Sequence, residues 1–186
     1  MTPCTIRTLL ALTTFAALTA CGGAGSQIGG VDHTDSEILS YSDLQDTLDY
    51  SDPGGLPAGQ ATYRGDITFV SGSQGMEGDI SILARFDDEA VSGQVSHLVH
   101  TNGTAYSGVL TIADGDIDIL ADPNDDWTYR ADVDGTLTGG GQNLQVAGEI
   151  AGDFYGQGAQ YTGGLAAIEA CGPTCTVYDG EFIAQR

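Results

Sequence analysis

Two histidines three positions apart, His97 and His100, are the first candidates in this chain for binding a metal ion or haem. They form an HxxH pattern at the end of a predicted strand. Side chains three positions apart on a strand point to opposite faces, so joint ligation requires the turn at residues 101–103 to bend the two together. We therefore expect two separately solvated or packed histidines, with a metal or haem contact as the alternative.

Clustered acids are the second group that could bind a metal ion, because calcium requires several convergent oxygens. Asp122, Asn124 and Asp126 alternate within one loop, but no glutamate follows at the offset that an EF-hand loop requires. Four other clustered acids are expected on the solvated faces of strands: Asp116, Asp118, Asp132 and Asp134. We predict no metal site and no cofactor, with Asp122, Asn124 and Asp126 as weak candidates.

Sequence motifs of the common enzyme classes are missing from the chain. It contains no GxSxG, no P-loop, no HExxH and no GxGxxG after a strand. Acids are so numerous that any pair of them is uninformative about catalysis. We expect the protein not to be an enzyme, and a buried carboxylate or histidine in a cleft would reverse this expectation.

The N terminus carries Arg7 and then an apolar run over residues 9–18. This run is too short to span a bilayer and suits the apolar region of a signal peptide. The last residue of the run, Leu18, begins the sequence Leu-Thr-Ala-Cys, which resembles the lipobox of bacterial lipoproteins. The resemblance implies a signal peptide over residues 1–20 and lipid on Cys21, the first residue of the mature chain. A conventional signal peptide is the alternative.

The remaining cysteines of the mature chain, Cys171 and Cys175, flank a Gly-Pro turn. Beyond the cytoplasm disulfides persist, so we predict a local disulfide that clamps a hairpin loop. The net charge is −21 and the chain has no lysine. Nucleic acid is therefore excluded as a partner, because phosphate binding needs clustered cations. The acidity favours solubility, and attraction to cationic partners or divalent ions is the alternative.

Residues 21–59 are predicted to be a lipidated flexible linker, because residues 22–36 are rich in glycine, serine and acids. Within the linker, Tyr41, Leu44 and Leu48 fall at helical spacing, which predicts a short amphipathic turn that docks on the following domain.

From residue 60 the apolar pattern has a period of two, which predicts half-buried strands. Eight strands are expected, at residues 63–69, 79–86, 91–95, 106–112, 127–137, 144–154, 162–168 and 176–184. The connections are rich in glycine, asparagine and aspartate, as in antiparallel hairpins. Glycines at inward positions would let a small barrel bend: Gly65, Gly93, Gly108, Gly135 and Gly148.

The sequence therefore predicts an all-β protein, an eight-stranded antiparallel up-and-down β-barrel over residues 60–186. Its apolar side should face inward, because a membrane barrel of eight strands has almost no lumen for so many carboxylates. Large side chains predict a packed interior: Tyr63, Phe69, Phe86, Trp127, Tyr129 and Phe154.

The segment GDFYGQGAQYTGG, residues 152–164, resembles the signature of the barrel domains of bacterial transferrin-binding protein B and related surface lipoproteins. Residues 61–65, 84–86, 91–93 and 180–186 are also similar to that family, in the same order. The resemblance implies an eight-stranded barrel domain. Family members have a handle domain before each barrel, whereas only residues 22–59 precede this one, so transferrin binding is not implied.

These features together predict a non-enzymatic binding module for a protein or nutrient carrier, anchored to the membrane through the lipid on Cys21. The partner would contact loops at one end of the barrel. Gly22 after Cys21, rather than Asp, is compatible with sorting to the outer membrane in the lipoproteins that the chain resembles. We expect the protein on the cell surface, with the periplasmic face as the alternative. There are two alternative functions. The protein is a carrier of haem or another apolar ligand, or it is a structural envelope lipoprotein without a ligand.

Overall fold

Eight antiparallel strands form a closed barrel, which confirms the predicted fold. The computed structural model describes residues 40–52, 55–122 and 126–186. The predicted signal peptide, Cys21 and Asn124 lie outside these residues. The strands are β1 (Gln60–Ser71), β2 (Gln74–Arg85), β3 (Ala90–His100), β4 (Leu110–Ile117), β5 (Tyr129–Gly139), β6 (Gln142–Tyr155), β7 (Tyr161–Cys171) and β8 (Cys175–Gln185). One helix, α1 (Tyr41–Thr47), precedes them.

The strands follow one another around the barrel in chain order, and β1 pairs with β8 from Arg64 opposite Gln185 to Val70 opposite Asp179. Strand β4 begins later than the pattern predicts. Ala105 and Ser107 make only isolated bridges, and Gly108 has a φ of 119°, which interrupts the extended chain. The alternation at residues 106–112 was therefore only partly a strand signal.

The barrel interior is filled by apolar side chains, which confirms that the apolar phase faces inward. The ring of Phe154 lies at the centre of an aromatic group, with ring centroids 5.7 Å from Tyr63, 5.3 Å from Phe86 and 5.2 Å from Tyr129. Trp127 does not belong to this interior, contrary to the prediction. It packs outside the barrel wall because β5 begins only at Tyr129.

Inward glycines allow the strands to approach each other closely. A Cβ atom at Gly65 would overlap the backbone carbonyl of Ile183, and one at Gly148 would overlap that of Ala167. Neither glycine needs an unusual φ, so it is the missing side chain that matters here. The predicted role of these glycines in bending a small barrel is thereby supported.

One end of the barrel, called here the plugged end, is crossed by the loop at residues 156–160. Ala159 on this loop is fully buried in the core, and its carbonyl accepts a 2.7 Å hydrogen bond from the Tyr63 hydroxyl. Leu56, on the segment that leads into β1, also packs against the core. At the opposite end, called here the hairpin end, lie the turns β1–β2, β5–β6 and β7–β8 and the loop at residues 101–109.

Helix α1 docks on the outside of the barrel near the plugged end, as the helical spacing predicts. Tyr41 and Leu44 are buried there beside Tyr155. The helix begins at Ser40, whose hydroxyl accepts a hydrogen bond from the Asp43 amide, a typical N-cap. Among the described residues no helix is long and apolar enough to cross a membrane.

After the helix, the chain pairs with the end of β6. The Ser51 amide donates to the Phe154 carbonyl at 2.8 Å, and the Gly156 amide donates to the Asp49 carbonyl at 2.9 Å. Strand β5 pairs with β6 only as far as Gly152, so the last residues of β6 have no β5 partner and pair with this segment instead. Residues 40–52 therefore belong structurally to the barrel domain.

Candidate functional site

A groove of about 330 Å³ lies on the outside of the barrel, beside the loop that joins β4 to β5. We call it the acidic groove because five carboxylates line it. These carboxylates lie beside Trp127 and Arg130 and belong to Asp116, Asp118, Asp126, Asp132 and Glu149. Four of these acids come from the clusters in the sequence, so folding brings residues from separate segments to one surface.

The register of β4, β5 and β6 explains why the groove is acidic. Asp132 stands directly opposite Glu149 on the neighbouring strand, and Asp116 stands opposite Arg130. Side chains at directly paired positions share a face of the sheet and lie about 5 Å apart at Cβ. Two carboxylates in that relation repel each other, so this part of the groove favours a cation.

Arg130, the one arginine among the described residues that line the groove, forms an ion pair on one side. Arg130 contacts the Asp126 carboxylate at 3.1 Å, and the same oxygen accepts a 2.8 Å hydrogen bond from the Trp127 amide. The amide hydrogen bond, followed by Arg130, lowers the pKa of Asp126. The Arg130 charge is therefore directed toward Asp126.

Two of the three weak calcium candidates, Asp122 and Asp126, lie in the described part of the chain. Asp126 lines the groove, whereas Asp122 is not part of its lining and offers its backbone carbonyl to the Asp126 amide at 2.8 Å. Asn124 lies outside the described residues. Asp126 therefore lines the groove with Asp118 and Asp132, while its backbone stays in contact with Asp122.

A buried carboxylate, Asp153, lies outside the groove lining. One of its oxygens accepts two 2.8 Å hydrogen bonds, from the Thr128 amide and the Thr128 hydroxyl. Burial raises the pKa of Asp153, and these hydrogen bonds oppose that rise. Asp153 holds the start of β5 and so positions Trp127, which is a structural role.

The two histidines point to opposite sides of β3, as predicted. His97 is exposed, and its Nδ1 lies 2.7 Å from a carboxylate oxygen of Asp79. His100 is buried, and its Nδ1 accepts a hydrogen bond from the Asn102 amide at 3.1 Å. The strand has a bulge opposite Gly78, at which His97 has a φ of 54°.

The predicted disulfide between Cys171 and Cys175 is present and closes the β7–β8 hairpin. The two cysteines are directly paired in register, with Cα atoms 4.0 Å apart. Glu169 lies beside them, with a carboxylate oxygen and both sulfur atoms within 4.8 Å of one another.

Sequence reasoning missed two acids, Glu149 and Glu169. Glu169 could have been found, because positions two apart on a strand share a face and Cys171 follows it by two. Glu149 could not, because its position opposite Asp132 depends on the strand register.

No known protein-family model matches this chain, and no curated protein matches it either.

Proposed function

We propose that this protein is a lipid-anchored, non-enzymatic surface barrel that binds a protein or nutrient carrier through cationic side chains. The acidic groove is the observation that carries the proposal. It is a concave surface formed by three strands and a loop, and its five carboxylates outnumber its single arginine.

The packing of the barrel directs a ligand to the outside. Phe154 and the three aromatic rings around it fill the interior near the plugged end, where Ala159 also enters the core. An apolar ligand of the size of haem would need that space inside the barrel. A surface ligand needs none of it, which favours the binding module over the carrier.

The chemistry of the groove favours guanidinium or ammonium groups. Carboxylates form charge-assisted hydrogen bonds with such groups, and the half-exposed ring of Trp127 adds a face for cation–π contact. Complementary charge also speeds the encounter of partners and sets their orientation. A partner with arginine or lysine on its contacting surface suits this site.

The anchor is proposed from the lipobox at Cys21 and from the resemblance of residues 152–164 to the barrel domains of surface lipoproteins. In this proposal the outer membrane surface is the location, and the lipid on Cys21 is the membrane contact. The helix that follows Ser40, within the predicted linker of residues 21–59, packs near the plugged end.

The groove is tested with the Cys21→Ser chain and a fluorescent oligoarginine peptide. We expect binding at low salt, measured by fluorescence anisotropy, and a large loss of affinity in the Asp132→Asn, Glu149→Gln double variant. The control is Asp179→Asn, Glu181→Gln, which removes the same charge from the outside of β8. Equal losses in both double variants would show attraction by net charge alone and would contradict the groove.

The anchor is tested by expressing the full chain in a bacterium that processes lipoproteins. We expect the wild type in the outer membrane fraction and accessible to protease on intact cells. Cys21→Ser should appear as a soluble or unprocessed form. An unchanged membrane fraction in the variant would contradict lipid attachment.

A further inference from the structure

We propose that reduction of the disulfide converts Cys171, Cys175 and Glu169 into a binding site for Zn²⁺ at the hairpin end. This inference concerns a second site and is independent of the acidic groove.

The strand register places the three ligand groups together. Glu169 precedes Cys171 by two positions on β7, so both side chains leave the same outer face of the barrel. Cys175 stands directly opposite Cys171 on β8. One carboxylate oxygen and the two sulfur atoms lie within 4.8 Å of one another. They are two thiolate sources and one oxygen, the donor types that zinc binds.

The intervening turn fixes the separation of the two cysteines after the bond is cleaved. Three residues, Gly172, Pro173 and Thr174, join them, and the Gly172 amide donates to the Thr174 carbonyl at 3.0 Å. A Cys-x₃-Cys spacing lies within the range found for zinc ligands. With zinc–sulfur bonds of about 2.3 Å, tetrahedral geometry requires sulfur atoms about 3.8 Å apart. Rotation of the two side chains reaches this distance without separating the strands.

The chemical step is a thiol–disulfide exchange followed by metal binding. A dithiol donates two electrons and two protons to the Cys171–Cys175 bond, which becomes two thiols, and the dithiol becomes a cyclic disulfide. Zinc then replaces the two thiol protons, which are released to solvent, while Glu169 contributes its carboxylate. Water occupies the fourth position, which is accessible because Cys175 is exposed.

Local charge favours a cation at this site. The four arginines among the described residues lie on strands or termini toward the plugged end: Arg64, Arg85, Arg130 and Arg186. None of them forms an ion pair with Glu169 among the described residues. A divalent ion would offset two of the three negative charges of this carboxylate and the two thiolates.

The experiment uses the full chain with Cys4→Ser and Cys21→Ser, so that Cys171 and Cys175 are its only cysteines. The protein is reduced with a dithiol, separated from it without oxygen, and titrated with Zn²⁺ or with Co²⁺ as a spectroscopic probe. We expect one equivalent of metal and a thiolate-to-cobalt absorption band in the near ultraviolet. The oxidised protein should bind none.

Substitutions identify the ligands. Glu169→Gln should weaken zinc binding at least about tenfold, since even residues that only support a ligand cost that much. Cys175→Ser should abolish the cobalt band. Glu181→Gln, the matched control on β8, should bind as the parent chain does, and circular dichroism should show the same barrel in all forms. The proposal is overturned if the reduced parent binds no metal, or if Glu169→Gln binds as tightly as the control.

Discussion

The carboxylate of Asp153 on β6 accepts two hydrogen bonds from one residue, Thr128, just before β5. Asp153→Ala would leave the buried Thr128 amide and hydroxyl without their acceptor. We expect a loss of about 1–3 kcal/mol in the free energy of unfolding. Asp153→Asn keeps a carbonyl oxygen for both donors and buries no charge, so it should be at least as stable as the wild type at neutral pH. Urea denaturation measures both variants.

The same residue predicts a pH dependence. Because burial raises the pKa of Asp153 in the folded chain, the folded state binds the proton more tightly than the unfolded state does. The wild type should therefore gain stability relative to Asp153→Asn as the pH falls from neutral through the raised pKa. The gain should be complete below the ordinary pKa of an aspartate. A difference between the two proteins that does not change with pH would contradict the raised pKa.

Leu44 should couple helix α1 to the barrel. Its side chain is fully buried, although it belongs to a seven-residue helix on the surface. Leu44→Ala should cost about 2–4 kcal/mol, because it removes a buried side chain and leaves a cavity. Asp46→Ala on the exposed side of the same helix should change the stability by less than about 0.5 kcal/mol. Thermal unfolding of both variants makes the comparison, and equal stabilities would show that the helix contributes nothing.

The barrel could be predicted from the sequence because its signal is local and repeated. Alternating apolar residues such as Tyr129, Ala131 and Val133 indicate which side of a strand is buried, and glycine-rich turns indicate hairpins. Each strand pairs with the next one along the chain, so no strand had to be placed out of sequence order. Helix α1 was found in the same way, from the spacing of Tyr41 and Leu44.

The acidic groove could not be predicted, because it depends on relations between strands. The pairing of Asp132 with Glu149 follows from the register of β5 and β6, and the place of Asp116 follows from a bulge in β4. A shift of one residue would turn either side chain to the opposite face. Trp127 was misplaced for a related reason, since the alternation does not show where β5 begins.

Gly148 tests how closely the strands of the barrel approach. A Cβ atom there would overlap the backbone carbonyl of Ala167, and a backbone atom cannot move aside as a side chain can. Gly148→Ala should therefore destabilise the fold by about 3 kcal/mol or more, as in overpacked cores. Gly172→Ala is the control, because its Cβ would meet the flexible end of Leu144 at 3.0 Å. If both variants unfold at the same urea concentration, the close approach is not essential.

Asp132 and Glu149 face each other with like charge, and this repulsion should be measurable as a function of salt. Glu149→Gln removes the repulsion while keeping the shape of the side chain, so it should stabilise the fold by about 0.2–1 kcal/mol at low ionic strength. The gain should shrink in salt of about 1 M, at which the screening length falls to about 3 Å. Asp179→Asn is the control, because Asp179 stands opposite Val70 and Ala167 rather than another acid. Both variants lower the large negative charge equally, so only a gain specific to Glu149→Gln reports the pair. Equal gains in the two variants would instead assign the effect to the repulsion of the chain as a whole.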